Sequence, residues 1–220
     1  MTRVLYLYGS SNGPGGYKSL ALSAERDFNV QEPVLPFPKS VPRTVAEWPR
    51  SFGDLQTTFF NARGIAQSAV DSFQPDVIVG SSMGGALAIA IDSPAARVLI
   101  APAVEIHGLG VTLPNLWRSR GIGARTIILH AEEDAVVPFQ ASERLLEEAA
   151  RIADPGEAAT MTIIQNDLME AGYRTRHGRL IRIGHDHSCN EPHPGDTWNR
   201  DPHPHRAMVR AVRILAAVTP

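Results

Sequence analysis

Cysteine is almost absent from this chain of 220 residues, since Cys189 is the only one. A single cysteine excludes an intramolecular disulfide, and this usage fits a reducing compartment. An excess of either charge is also absent, because the formal net charge is −2 at pH 7. This balance gives no indication of a nucleic-acid surface or of an anionic membrane as a partner.

Long apolar runs are missing as well. No run approaches the ~20 residues of a transmembrane helix, and the apolar start at residues 4–8 is too short for a secretory signal. We therefore expect a soluble cytoplasmic protein. No internal repeat or linker interrupts the sequence, and its length suits one compact unit. A single domain over residues 1–220 is predicted, while nothing in the sequence indicates an oligomeric state.

What is present is an alternation of short apolar β patterns with helical patterns. This alternation is typical of the α/β class, a mostly parallel central sheet that is flanked by helices on both faces. The predicted strands are residues 4–8, 28–35, 76–79, 97–100, 126–130, 161–165 and 180–183. The predicted helices are residues 17–26, 55–73, 83–91, 139–153 and 204–218. Loops at residues 36–49, 101–124 and 167–179 are expected to build the pocket.

The most informative motif is G-x-S-x-G, in the stretch Gly80-Ser81-Ser82-Met83-Gly84. The five-residue pattern is weak on its own, but it follows an apolar strand and opens an apolar helix, which is the context it requires. A serine at such a sharp turn is exposed and aimed as a nucleophile. The glycines at both ends avoid a Cβ where backbone segments come close together. We therefore predict that Ser82 is a catalytic nucleophile.

A serine nucleophile needs a base that removes its proton and an acid that orients the base. Asp134 follows the predicted strand at 126–130, and catalytic groups of open α/β sheets collect at the carboxyl ends of strands. Asp134 is therefore the candidate acid. Glu132 and Glu133 are its rivals.

The candidate base is His187, which follows the predicted strand at 180–183. It completes the chain order serine, acid, histidine. His185 lies two residues earlier and is the alternative. Because the base must be neutral, hydrolysis should decline below about pH 6–7, near the ordinary pKa of histidine.

Two backbone N–H groups are needed to stabilise the oxyanion of an acyl-transfer reaction. The first is predicted at Met83, directly after the nucleophile. The second is predicted in the loop after the first strand, at Ser10, with Ser11 as the second choice. The glycine-rich sequence around them would let the backbone approach a substrate closely, so Gly9 and Ser11 are predicted substrate contacts.

Together these residues resemble the α/β-hydrolase superfamily, and more narrowly its small bacterial esterases with little or no lid domain. The resemblance rests on the segments 5–9, 75–85, 130–138 and 184–187. It implies an α/β-hydrolase fold with a minimal cap and no need for a cofactor or metal. It also implies cleavage of carboxylic esters or thioesters of small molecules through an acyl-enzyme.

Two features bear on the pocket that this resemblance implies. Many members have His-Gly where this chain has Tyr8-Gly9. The tyrosine leaves the backbone N–H donor of the predicted oxyanion site unchanged, but it changes the side chain that lines the pocket behind that donor. The usual lid position holds only residues 101–124, too short for a separate cap domain. Trp117 lies there and is predicted to line the substrate pocket, with local packing as the alternative.

Three other motifs are rejected. The loop before Lys18 lacks the spacing of a phosphate-binding loop, because Tyr17 separates Gly16 from the lysine. The histidine-rich segment 185–205 has no recognised metal-ligand spacing and is interpreted as a solvated loop. Cys189 is not surrounded by a turn motif like the one at Ser82, and it is assigned to packing.

Other functions remain open for the same serine. The fold could be a ligand-binding module without turnover, although an intact Ser82, Asp134 and His187 set argues against a retired site. Acyl transfer or amide cleavage could also use these three residues, because one fold hosts many chemistries.

Overall fold

The computed structural model describes residues 1–9, 13–37, 52–104, 125–131, 134–152, 174–175, 178–182 and 206–217. Within these ranges seven strands form one sheet. The strands are β1 (Thr2–Leu7), β2 (Phe28–Gln31), β3 (Val77–Ser81), β4 (Ala96–Ile100), β5 (Thr126–His130), β6 (Arg174–Thr175) and β7 (Gly178–Arg182). The helices are α1 (Tyr17–Ser23), α2 (Phe52–Phe73), α3 (Met83–Ala90), α4 (Phe139–Ile152) and α5 (Arg206–Ala217).

The strand order across the sheet is β2-β1-β3-β4-β5-β7-β6. All neighbours from β2 to β7 are parallel, and the short β6 pairs antiparallel with β7 at the edge. The prediction of a mostly parallel sheet is therefore confirmed. Because the inner strands run in one direction, the residues that follow β1, β3, β5 and β7 all leave the same edge of the sheet.

The helices cover both faces of the sheet. The chain moves one way from β1 to β2 and the other way from β2 to β3 and onward, so right-handed crossovers put α1 on one face and α2, α3 and α4 on the other. Helix α5 packs on β3, β4 and β5, and its Arg213 reaches Glu25 and Asp27 beside α1. It therefore lies on the face of α1. In the described residues, none of the helices has the length and apolar character needed to cross a membrane.

The core lies around the three central strands. Every residue of β3, β4 and β5 is buried, which explains why these strands have apolar runs in place of alternation. Helix α3 is also buried at every position. Its uniformly apolar sequence is the pattern of a helix that packs on all sides.

Several predicted boundaries were wrong. Helix α1 ends at Ser23 and not at residue 26, and helix α2 begins at Phe52 and not at residue 55. β2 ends at Gln31 and not at residue 35, because Pro33 has no N–H for a ladder and the backbone of Leu35 bonds to the Tyr8 hydroxyl instead. The predicted loop at 167–179 contains β6 and the start of β7, which form a hairpin. The strand predicted at 161–165 lies outside the described residues.

Candidate active site

Ser82 occupies a strained backbone conformation between β3 and α3, with φ 53° and ψ −117°. A positive φ is unfavourable for a residue that carries a Cβ, so the surrounding structure must hold it in place. The neighbouring strand β4 and the segment after it supply that support. The Ser82 N–H donates to the Ile100 carbonyl at 2.8 Å, and the Ser82 carbonyl accepts from the Ala103 N–H at 3.1 Å.

The glycines on either side of Ser82 allow this turn to close. A Cβ on Gly80 would overlap the backbone of Gly84, and a Cβ on Gly84 would overlap the carbonyl oxygen of Leu7 at the end of β1. Gly85 adds a third close approach, because a Cβ there would lie 2.9 Å from Pro102. The steric role that the sequence predicts for Gly80 and Gly84 is confirmed.

Gly9 lies directly beside the serine. A Cβ on Gly9 would lie 2.9 Å from the Ser82 Cβ and 3.5 Å from its Oγ. The loop that follows β1 therefore starts against the candidate nucleophile. Met83 is the first residue of α3 and is fully buried. The other candidate residues of this loop, Ser10 and Ser11, lie outside the described residues.

Two buried tyrosines, one in β1 and one directly after it, lie close to the turn at Ser82 and to the loop that follows β1. The Tyr6 side chain is buried, and burial raises the pKa of its phenol. The Tyr8 hydroxyl donates to the Leu35 carbonyl at 3.0 Å and accepts from the Leu35 N–H. Burial also raises the pKa of Tyr8, so both phenols stay neutral supports. Tyr8 thus ties the start of the loop to the segment after β2.

Asp134 is buried shortly beyond the carboxyl end of β5. Its Oδ1 accepts hydrogen bonds from the N–H groups of Val136 and Val137, each at 2.8 Å. Its Oδ2 lies 3.1 Å from Nε2 of His130. Hydrogen bonds to a carboxylate stabilise its negative charge and its orientation. The rivals Glu132 and Glu133 lie outside the described residues.

His130 and Ser142 are residues that the sequence analysis did not assign to the site. His130 is the last residue of β5 and is fully buried, with Nδ1 at 2.7 Å from the Ser142 Oγ. A histidine at the end of an apolar strand, four positions before the candidate acid, is a signal that could have identified His130. Ser142, inside α4, carries no comparable signal in the sequence.

The structure brings Ser82, Met83 and Gly9 together at the carboxyl edge of the sheet, where Asp134 also lies beyond β5. The candidate base His187 lies outside the described residues, as do its alternative His185 and the candidate pocket residue Trp117. Strand β7 ends at Arg182, shortly before His187, and pairs with β5. His187 therefore follows the strand next to the one that precedes Asp134.

A metal site is not visible in the part of the chain that the structure describes. No group of three or more histidine, cysteine, aspartate or glutamate side chains is arranged there to hold a metal ion. The histidine-rich segment 185–205 lies outside the described residues.

Several solved structures share this architecture. A protein assigned to the alpha/beta hydrolase superfamily from Xanthomonas campestris pv. campestris has 17% identity over 99% of this chain and 98% of its own, with a TM-score of 0.52. SOBER1 from Arabidopsis thaliana has 12% identity over 100% of this chain and 99% of its own, with a TM-score of 0.53. A single-residue variant of SOBER1 has 14% identity over 100% of both chains, with a TM-score of 0.55. Identities this low show likeness of fold alone.

No curated protein matches the chain significantly. The sequence model of the alpha/beta hydrolase family, by contrast, matches residues 20–217. The matched range includes Ser82, Asp134 and helix α5. It also includes every described strand except β1. The chain therefore belongs to the alpha/beta hydrolase family.

Proposed function

We propose that this protein is a serine hydrolase that cleaves carboxylic esters or thioesters of small molecules through an acyl-enzyme on Ser82. The observation that carries the proposal is the strained conformation of Ser82 at the turn between β3 and α3. Strain of this kind persists where the surroundings over-determine it, and it clusters at active sites. Membership of the alpha/beta hydrolase family supports the same chemistry.

In the proposed mechanism, the Ser82 hydroxyl attacks the acyl carbon and His187 takes its proton. Asp134 orients His187 and stabilises the imidazolium that forms. The backbone N–H groups of Met83 and Ser10 bind the negative oxygen of the tetrahedral intermediate. His187 then protonates the leaving group, and a water molecule releases the acyl group by the same route.

The surroundings of Asp134 support its role as the acid of this triad. Its carboxylate is buried and receives N–H donors from Val136, Val137 and His130, so its charge and direction are both held. It follows β5, whose carboxyl end lies at the same edge of the sheet as the turn at Ser82. An acid that is held rigidly can orient a histidine without being protonated itself.

The close approach of Gly9 to Ser82 supports a narrow acyl site. A Cβ on Gly9 would lie 2.9 Å from the Ser82 Cβ, so the backbone that follows β1 runs close against the serine. Together with the short segment available as a lid, this favours small substrates with short acyl groups.

A serine-directed fluorophosphonate probe and a series of p-nitrophenyl esters of increasing acyl length test the proposal. The wild-type protein should label and hydrolyse short esters, whereas Ser82→Ala should do neither. Ser93→Ala is a matched control, because Ser93 is also buried and its hydroxyl accepts from the nearby Ala95 N–H. It should label like the wild type. A folded wild-type protein that fails to label would instead support a binding module.

The histidine base gives a second readout. The value of kcat/KM should fall below about pH 6–7 as His187 becomes protonated, near the ordinary pKa of histidine. A pH series of ester hydrolysis, corrected for the rate without enzyme, measures this. A rate that stays flat down to pH 4 contradicts a histidine base.

A further inference from the structure

We infer that His130 is a positioning residue, which acts on the reaction by holding the carboxylate of Asp134 in one plane. The inference rests on the proposed function, because it assigns a role to the acid of that triad. The juxtaposition that carries it is a buried chain of hydrogen bonds from Ser142 to His130 to Asp134.

The partners of the imidazole determine which nitrogen carries its hydrogen. Nε2 lies 3.1 Å from Asp134 Oδ2 and 3.1 Å from the Val137 carbonyl oxygen. Both of these atoms are acceptors, so Nε2 must be the donor. Nδ1 then accepts from the Ser142 hydroxyl at 2.7 Å. Ser142 thereby favours the tautomer that presents the Nε2 hydrogen to Asp134.

The site is shielded and rigid. His130 and Ser142 are fully buried, and Asp134 is 8% exposed. The ring of Phe139 lies 5.5 Å from the imidazole at a tilt of 56° and restricts its orientation. Hydrogen bonds in such a setting are stronger than in water, since the local dielectric is low.

The two oxygens of the Asp134 carboxylate accept from different donors among the described residues. The N–H groups of Val136 and Val137 both bind Oδ1, and the N–H of His130 binds Oδ2. The bond at the second oxygen restricts rotation of the carboxylate about the first. The plane of the carboxylate sets the direction in which it meets the base. Loss of this bond should therefore lower kcat, and KM should change little because Asp134 does not touch the substrate in the proposed mechanism.

Four variants test this role in hydrolysis of a short p-nitrophenyl ester. His130→Leu removes the donor and should lower kcat by about 10- to 100-fold, with KM within about twofold, since small misplacements of catalytic groups have effects of this size. His130→Gln keeps an N–H at a similar reach and should recover most of the loss. Ser142→Ala should lower kcat by about fivefold, the effect of one lost hydrogen bond. Ser93→Ala, at another buried serine, should match the wild type.

A double-mutant cycle separates positioning from a general structural role. If His130 acts through Asp134, then adding His130→Leu to Asp134→Ala causes no further loss of kcat. An equal loss in both backgrounds overturns the inference, and so does a His130→Leu protein with wild-type kcat. Urea unfolding identifies the variants that fold. If His130→Leu does not fold, Ser142→Ala takes its place in the test. Equal hydrolysis by wild type and Ser82→Ala overturns the proposed function itself, and the inference falls with it.

Discussion

Strained residues of this chain gather where the proposed chemistry takes place. Outside glycine, three described residues have a positive φ: Gln74, Ser82 and Ala101. Gln74 follows the end of α2, where a left-handed residue commonly ends a helix. Ser82 and Ala101, by contrast, follow the adjacent strands β3 and β4 at the carboxyl edge of the sheet. Backbone conformations that non-glycine residues usually avoid therefore occur at the candidate site, where such exceptions are expected.

A methyl group at Gly9 tests how tightly this site is built. Gly9→Ala would place a Cβ 2.9 Å from the Ser82 Cβ and 3.1 Å from the Ser81 carbonyl oxygen, so Ser82 or the loop must shift. We expect kcat/KM for a short ester to fall by about 100-fold while the protein stays folded, because displacements near 1 Å have effects of that size. Ester kinetics and circular dichroism measure the two quantities.

Gly64→Ala is the matched control for this substitution. Gly64 lies inside α2, and a Cβ there meets no atom within 4 Å. It should leave the kinetics unchanged and raise the free energy of unfolding by up to about 1 kcal/mol, because alanine is the better helix former. Wild-type activity in Gly9→Ala would show that the loop moves away freely, against the proposed narrow acyl site.

Single residues were predictable where a local motif or chain order identifies them. The motif predicted the turn at Ser82 and its glycines Gly80 and Gly84. The end of β5 pointed to Asp134 as the candidate acid. His130 and Ser142 could not be paired in this way, because their contact depends on how α4 packs against β5. Such a contact depends on three-dimensional packing, and no pattern in a single sequence records it.

At the scale of the element, α3 is the helix that carries Met83 at its first position, and a buried arginine holds its other end. Arg97 of β4 is 2% exposed, and its guanidinium donates to backbone carbonyls at the end of α3 and in the segment between α3 and β4. The distances are 2.7 Å to Ala88, 3.4 Å to Ile91, 3.0 Å to Ser93 and 2.7 Å to Ala95. A cation at this position complements the negative end of the helix dipole. Arg97 therefore satisfies carbonyls that a buried helix end would otherwise leave without donors.

Arg97→Met should therefore destabilise the whole protein. It removes a charged donor group and leaves several buried carbonyls without partners, so we expect the free energy of unfolding to fall by about 3–4 kcal/mol. Arg97→Lys should recover little of this stability, because one ammonium group cannot reproduce the planar set of donors of a guanidinium. Urea unfolding measures both. Arg26→Met, at an exposed arginine, should change little, and an equally small effect at Arg97 would contradict the capping role.

Elements could be predicted most accurately where both faces are buried. β5 was predicted at its observed bounds and β4 to within one residue, since uninterrupted apolar runs mark a strand in the middle of a parallel sheet. β2 and β6 are the two edge strands of the described sheet, where polar residues and fewer contacts weaken the pattern. The N–H and carbonyl of Leu35 extend no ladder because they bind Tyr8, and a contact so distant in sequence has no local signature.

At the scale of the whole molecule, sheet topology converts distant residues into neighbours. Ser82 and Asp134 are far apart in sequence, yet β3 and β5 are separated in the sheet by β4 alone. The alternation of strands and helices predicted a parallel sheet, and a parallel sheet collects strand ends at one edge. That reasoning could not give the strand order, which depends on crossovers that a single sequence does not record.

Arg213 joins the C-terminal helix α5 to the segment between α1 and β2, and acid should weaken this connection. Its guanidinium lies 3.3 Å from Asp27, also binds Glu25, and lies 5.7 Å from the ring centre of Phe28. The hydrogen bond from Arg213 lowers the pKa of Asp27 below its ordinary value of 3.8. Because the folded-state pKa is lowered, the stabilisation from this ion pair is complete above about pH 4 and is lost as the pH falls through the folded-state pKa.

Arg213→Met should therefore lower the urea midpoint at pH 7. The difference in midpoint from the wild type should shrink at pH 3 without vanishing, because the contact with Phe28 does not titrate there. Arg26→Met, at an exposed arginine, is the control, and a difference of the same size at both pH values would contradict the role of Asp27.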